Sequence, residues 1–139
     1  AIDPDDTAAS NDYWPHNYNP NCVVYTGTHD NPTLAGWYAG LDKASRRQVR
    51  DYLGDEFTPD RLMHKVLIRL AMRSVAKDCI IPIQDYLGLG DDARMNQPGT
   101  VGFNWRWRLR PGQLADALAD ELMALTKHVG RVNWDIQNG

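Results

Sequence analysis

Thr28-His29-Asp30-Asn31 sets a hydroxyl, an imidazole, a carboxylate and a carboxamide side by side. An ionised carboxylate accepts hydrogen bonds and a neutral imidazole can donate one, so the pair is equipped to grip hydroxyl groups or to join a metal site. One histidine next to one aspartate is a weak pattern in isolation, and its plainest reading is a structural histidine bonded to loop carbonyls. Its setting adds weight. The run Val23-Val24-Tyr25-Thr26 precedes it, Gly27 intervenes, and Pro32-Thr33-Leu34-Ala35-Gly36-Trp37-Tyr38 follows. A buried-strand composition, then an acid, then a helix start is the expected layout of a catalytic carboxylate at the C-terminal end of a parallel strand. Gln84-Asp85 occupy a similar place after Cys79-Ile80-Ile81-Pro82-Ile83.

The elements that must position these residues follow from local chemistry. Residues 1–21, rich in Asp, Asn and Pro, read as a long loop. Cys22 to Thr26 is the first strand. Asn31 suits a helix N-cap and Pro32 the first helical position, with a short helix to about Tyr38. Asp42 caps a second helix over about 43–53, stopped by Gly54. Thr58-Pro59 opens the best helix, in which Leu62, Val66, Leu70 and Met63, Leu67, Ala71 form two apolar rows. Arg61, Lys65, Arg69 and Arg73 line another face, expected to be solvated or ion-paired. Cys79 to Ile83 is the second strand. Residues 88–110 are loop-like and carry Trp105-Arg106-Trp107-Arg108. A final helix runs from Pro111, with Leu114, Leu118, Leu122, Leu125 and Val129 on one side and Gly130 as its stop. Two short strands separated by helices predict parallel pairing through a helical crossover. Two strands alone leave open edges, so the pattern suggests a segment of a (β/α)8 barrel.

Composition narrows the function. The chain has 139 residues, 42% hydrophobic and 24% charged, with a net charge of −3. Such a chain has no global positive field to draw nucleic acid or anionic lipid, and a neutral or small polar substrate suits it better. Cys22 and Cys79 each begin an apolar run and read as free, buried thiols, which points to a reducing, cytoplasmic setting. No apolar run approaches the ~18 residues of a membrane span, and no signal peptide is visible.

Four blocks in order carry a specific resemblance: Pro15-His16-Asn17-Tyr18; Val24-Tyr25-Thr26-Gly27-Thr28-His29-Asp30-Asn31 with Gly36-Trp37; Pro82-Ile83-Gln84-Asp85-Tyr86-Leu87-Gly88-Leu89-Gly90; and Arg94-Met95-Asn96-Gln97-Pro98-Gly99-Thr100 continuing to Asn104-Trp105-Arg106-Trp107-Arg108. Together they resemble 4-α-glucanotransferases of the amylomaltase, or disproportionating-enzyme, type. The resemblance implies an α/β fold: the C-terminal part of a catalytic (β/α)8 TIM barrel, mostly helical in this segment. Residues 1–21 would be the loop before strand seven, 22–76 strand seven with its helices, and 77–139 strand eight, a substrate loop and the final helix. Pro32 departs from the family, which often has an acid there.

The same resemblance implies transfer of α-1,4-glucan segments between maltodextrin or starch chains by a retaining double displacement, without cofactor or metal. The nucleophile and the acid/base come from earlier strands of the family's barrel, so the remainder of that barrel is the segment's expected partner. Free of it, the segment is expected to be inactive and able to self-associate. Asp30 matches the third acid of the active site, which stabilises the oxocarbenium-like transition state through ring hydroxyls, and His29 would donate to a sugar hydroxyl. A place before a helix N-terminus would favour the Asp30 charge by ~0.3–1 kcal/mol. Asn96 matches a position that reaches the glucan. Asn31 and His16 are further candidate contacts, and Trp14 is the best sugar-stacking candidate, whereas Trp37 reads as packing. Gln84 and Asp85 would organise the barrel mouth, with Arg106 or Arg108 as partners. Two rivals stand beside this reading. One is a metal-dependent phosphohydrolase using His29-Asp30 with His16 or His64, for which no suitable ligand spacing exists. The other is a non-catalytic glucan-binding or interaction module.

Overall fold

A computed structural model describes residues 11–133. They form two compact units divided between Trp107 and Arg108. The first holds a parallel two-stranded sheet of β1 (Val23–Tyr25) and β2 (Asp78–Ile80), with α1 (Leu34–Gly40), α2 (Lys43–Leu53) and α3 (Met63–Arg73) between the strands and the short α4 (Ile83–Tyr86) after them. The second carries α5 (Asp116–His128). Loop residues 1–10 of the sequence reading, and Trp134, lie outside the described residues.

The strands pair as Val23 with Asp78, Val24 with Cys79 and Tyr25 with Ile80. Both are shorter than their apolar runs. The Asp78 N–H donates to the Cys22 carbonyl and that of Thr26 to the Ile80 carbonyl, so hydrogen bonding frays outward at both ends of β1. Pro82 lacks an N–H and takes the N-cap place of α4 with φ −57°, which stops β2 before the predicted Ile83. Alternation sorts the faces: Val24 is buried with Ala71 and Ala76, joined by Tyr18, Cys22 and Cys79. Val23, Tyr25 and Ile80 remain 41%, 51% and 50% exposed on the opposite face. Cys22 and Cys79 are not joined in a disulfide and are half-buried rather than buried.

The α1 start corrects the sequence reading. Thr33, not Asn31, is the N-cap, its hydroxyl accepting from the Gly36 N–H at 3.1 Å. Asn31 has turned its side-chain oxygen back to the Thr28 N–H and hydroxyl, at 2.8 and 2.9 Å. At the far end of α1, Arg46 donates to the carbonyls of Ala39 and Leu41, so a side chain of α2 satisfies groups that the helix leaves open. Asp42 caps α2 through the Ser45 N–H, and Gly54 closes it in the left-handed region at φ 64°, both as expected.

The helix expected from Thr58-Pro59 begins as a 3-10 turn, Asp60–Leu62, and becomes α-helical at Met63. Its buried face is rotated from the two expected rows. Met63 and Ala71 are buried, but so are His64, Ile68 and Met72, while Leu62, Val66, Leu67 and Leu70 are half-buried. Met63 packs with Tyr38 and Val49, and Trp37 lies against this cluster as a packing residue. The basic row Arg61, Lys65, Arg69 and Arg73 is exposed. In the second unit, α5 starts at Asp116 rather than Pro111, leaving Leu114 56% exposed, and none of its residues is buried.

Candidate active site

The loop after β1 is shaped by its own polar side chains. The Thr28–Asn31 bonds close one turn, and the Asn31 N–H returns to the Thr28 carbonyl at 3.2 Å. This turn lifts His29 and Asp30 outward, with side chains 55% and 48% exposed. Asp30 stands three residues before the α1 cap. Two leading N–H groups of that helix are engaged elsewhere, that of Gly36 by the Thr33 hydroxyl and that of Leu34 by Asp85 Oδ1 at 2.8 Å, so neither is directed at Asp30.

A second loop, after α4, supplies the other half. The Asn96 N–H donates to the His29 carbonyl at 3.0 Å, and the Asn96 side-chain Nδ2 donates to Asp30 Oδ1 at 2.6 Å. His29 Nε2 lies 3.3 Å from that same oxygen. Among the described residues Asp30 Oδ2 has no hydrogen-bond partner. One oxygen is thus held in place, and the other keeps its lone pairs available to a donor. A small cleft of about 200 Å³ opens beside the pair, lined in part by Thr28, His29, Asn31, Gln84, Asp85 and Arg94.

Trp105, which the sequence reading did not single out, stands beside this pair. Its ring centroid is 5.1 Å from that of His29 and its side chain is half exposed. It is also the non-glycine residue with positive φ, 65°, among the described residues, held there by its N–H donating to the Met95 carbonyl. A bulky residue in the left-handed region costs free energy, and such outliers gather at functional sites. The sequence flagged Trp105 only as one aromatic of a cluster.

The other expected residues fall elsewhere. His16 Nδ1 is 2.9 Å from the Tyr52 hydroxyl, whose pKa burial raises above its ordinary value, keeping the phenol protonated. Trp14 is only 8% exposed and has the Tyr52 ring at 4.3 Å, so its indole is packed rather than presented as an open platform. It lines, with Tyr18, Tyr25, Asn31 and Leu67, a larger apolar groove of about 580 Å³. Asp85 does not use arginine partners. Its two oxygens serve the Leu34 N–H and, at 2.6 Å, the Thr26 hydroxyl, and the Arg106 guanidinium lies over the Phe103 ring. Asp85 therefore welds the end of β1 to the start of α1 at the mouth of the site. His64 is buried against Gly88, where φ is 65° and an added Cβ would come 2.7 Å from the imidazole. Among the described residues no three His, Cys, Asp or Glu side chains converge as a metal site. None of the described helices is long and apolar enough to cross a membrane.

Comparison with known proteins adds the family. Residues 3–115 match the family model described as 4-alpha-glucanotransferase. The chain is similar to the 4-alpha-glucanotransferase of Synechocystis sp., 47% identical over 127 residues that make up 91% of this chain and 25% of that protein. It is 40% identical to that of Clostridium butyricum over 88% of this chain and 25% of the relative. It is 44% identical to the chloroplastic/amyloplastic enzyme of Solanum tuberosum, over 84% and 20% respectively. Among solved structures, the amylomaltase from Streptococcus agalactiae in complex with acarbose superposes with a TM-score of 0.83 at 32% identity, covering 92% of this chain and 26% of that one. The chain thus spans about a quarter of the length of the relatives it matches.

Proposed function

This chain belongs to the family of 4-alpha-glucanotransferases, and from that premise we propose that it is the C-terminal part of a (β/α)8 catalytic barrel whose β1 and β2 are strands seven and eight. The complete protein would transfer α-1,4-glucan segments between maltodextrin or starch chains by a retaining double displacement. Support comes from the parallel β1–β2 pair, one of whose faces is uncovered, and from the amylomaltase relative that holds acarbose. The remainder of the barrel is the natural cover for that face and for the apolar groove beside it. Cysteines outside any disulfide, as Cys22 and Cys79 are, suit a reducing compartment such as the cytoplasm.

Within that enzyme Asp30 is the transition-state acid. The observation that carries this is the asymmetry of its carboxylate: Asn96 fixes Oδ1 at 2.6 Å while Oδ2 is left open. As positive charge grows on the sugar ring, hydroxyls bound by an anion become better donors, so the contact strengthens in the transition state beyond its ground-state value. His29, beside the same oxygen and backed by the Trp105 ring, donates to a neighbouring hydroxyl. Asn96 both holds Asp30 and borders the glucan. Asn31 shapes the loop and lines the cleft. Nucleophile and acid/base belong to other strands of the parent barrel.

The test is Asp30→Asn in the complete enzyme. Loss of ~10²–10³-fold in kcat for disproportionation of maltotriose is expected, the range typical of a lost transition-state contact. Near-normal turnover would remove Asp30 from the mechanism. The purified segment, lacking the other two acids, is expected to give no disproportionation at all.

A further inference from the structure

Two separate loops build the candidate site, and one guanidinium joins them. Arg94, half-buried after the 3-10 turn Asp91–Ala93, donates from Nη2 to the backbone carbonyl of Asp30 at 2.7 Å. Its Nε donates to the backbone carbonyl of Asn96 at 2.9 Å. Both acceptors are main-chain oxygens, and they belong to the two residues whose side chains meet at Asp30 Oδ1. With the Asn96 N–H on the His29 carbonyl, these bonds form a closed circuit: main chain to main chain, guanidinium to both carbonyls, side chain to side chain.

We propose that Arg94 is a positioning residue for glucan transfer: it locks the main chain of the Asp30 loop to that of the Asn96 loop and so fixes where the open oxygen of Asp30 meets the sugar. The inference rests on the role given to Asp30 above. A guanidinium suits the task because its donors sit in a rigid planar fork and reach two carbonyls in different directions at once. An ammonium gathers its three donors on one atom at the end of a flexible stem and lacks that fork. Fixing a carbonyl fixes the peptide plane and with it the direction of the attached side chain. Misplacement of a reacting contact by about 1 Å can cost ~10²-fold in rate, so a clamp that touches no substrate can still govern turnover.

A role confined to stability predicts something different, which makes the assignment testable in the complete enzyme. We expect Arg94→Ala to lower kcat on maltotriose by about 10- to 100-fold, with KM changed by no more than about threefold. Arg94→Lys, which keeps the charge without the fork and is the milder change for folding, should show the same split with a smaller loss. In the Asp30→Asn background, Arg94→Ala should add less than about twofold, because it acts through the residue already disabled. Normal kcat in both Arg94 variants overturns the proposal. So does a full independent loss on top of Asp30→Asn, or a loss accounted for by the unfolded fraction alone. A normal Asp30→Asn enzyme would instead overturn the reading of Asp30. Loss in Asp30→Asn with unchanged Arg94 variants would sink only the clamp.

Discussion

Asp30 and Asp85 are both acids just beyond a strand, and the structure engages them in opposite ways. Asp85 is 2% exposed, with Oδ1 on the Leu34 N–H and Oδ2 on the Thr26 hydroxyl. Asp30 is half exposed, with Oδ1 held by Asn96 and Oδ2 open. The first has engaged both its oxygens in the fold and behaves as a bracket. The second has committed just enough to be aimed. Position after a strand therefore selects candidates, while hydrogen-bond engagement distinguishes Asp85 from Asp30, the acid proposed to act in transfer.

The sharpest way to break this contrast is to neutralise each acid and compare rate with stability. Asp30→Asn is expected to take ~10²–10³-fold from kcat while moving the urea midpoint by the equivalent of no more than ~0.5 kcal/mol, as for an exposed group outside the core. Asp85→Ala should do the reverse. It leaves the Leu34 N–H and the Thr26 hydroxyl without their acceptor, at roughly 1–3 kcal/mol for the buried N–H and less for the half-buried hydroxyl. Unfolding would shift far more than kcat per folded molecule. If Asp85→Ala kept its midpoint and Asp30→Asn lost it, the two assignments would have to be exchanged.

The same pair shows how far the sequence could be read. Strand-then-acid was visible at both places because β-branched runs and the breaks at Gly27 and Pro82 are local signals. Likewise the Asp42 cap and the Gly54 stop of α2 depend on nearby residues and were legible. The partners of Asp85 were not, because Thr26 and Leu34 lie 59 and 51 positions away and either could be met only in the folded chain. Arginine partners looked reasonable from charge alone. Tertiary contacts also moved the α1 cap: with Asn31 engaged by Thr28 and the Leu34 N–H met by Asp85, Thr33 became the residue that completes the helix start. The resemblance reached Asn96, but the bonds of Arg94 to two main-chain carbonyls and the positive φ of Trp105 are matters of backbone geometry, which residue type does not announce.

The cap assignment yields a smaller test. Thr33→Ala should cost about 1 kcal/mol of stability, the usual worth of a lost N-cap, and Thr33→Ser should restore most of it. Measured by denaturant unfolding of the complete enzyme, an unchanged Thr33→Ala midpoint would leave the Asp85 bond to Leu34 as the main fastening of α1.

Asp60 supplies the finest discrimination, because it is exposed like Asp30 yet engaged at both oxygens like Asp85. Its side chain is 56% exposed, but Oδ1 accepts from Arg50 at 2.7 Å and from the Tyr38 hydroxyl at 3.3 Å, and Oδ2 from Arg46 at 3.0 Å. If openness to solvent alone marked a functional acid, Asp60→Asn would impair transfer. If engagement decides, kcat stays unchanged and only stability responds, by ~0.2–1 kcal/mol for pairs this exposed. The hydrogen bond from Arg50, reinforced by Arg46, lowers the Asp60 pKa below its ordinary 3.8. A carboxyl with a lowered folded-state pKa stabilises fully above the ordinary value and loses that contribution as pH falls through the lowered one. The gap in unfolding midpoint between the parent and Asp60→Asn should therefore hold at neutral pH and narrow below about pH 4. A gap that stays constant into acid would mean that the carboxylate charge contributes nothing there, and that shape alone holds the Asp60 hub together.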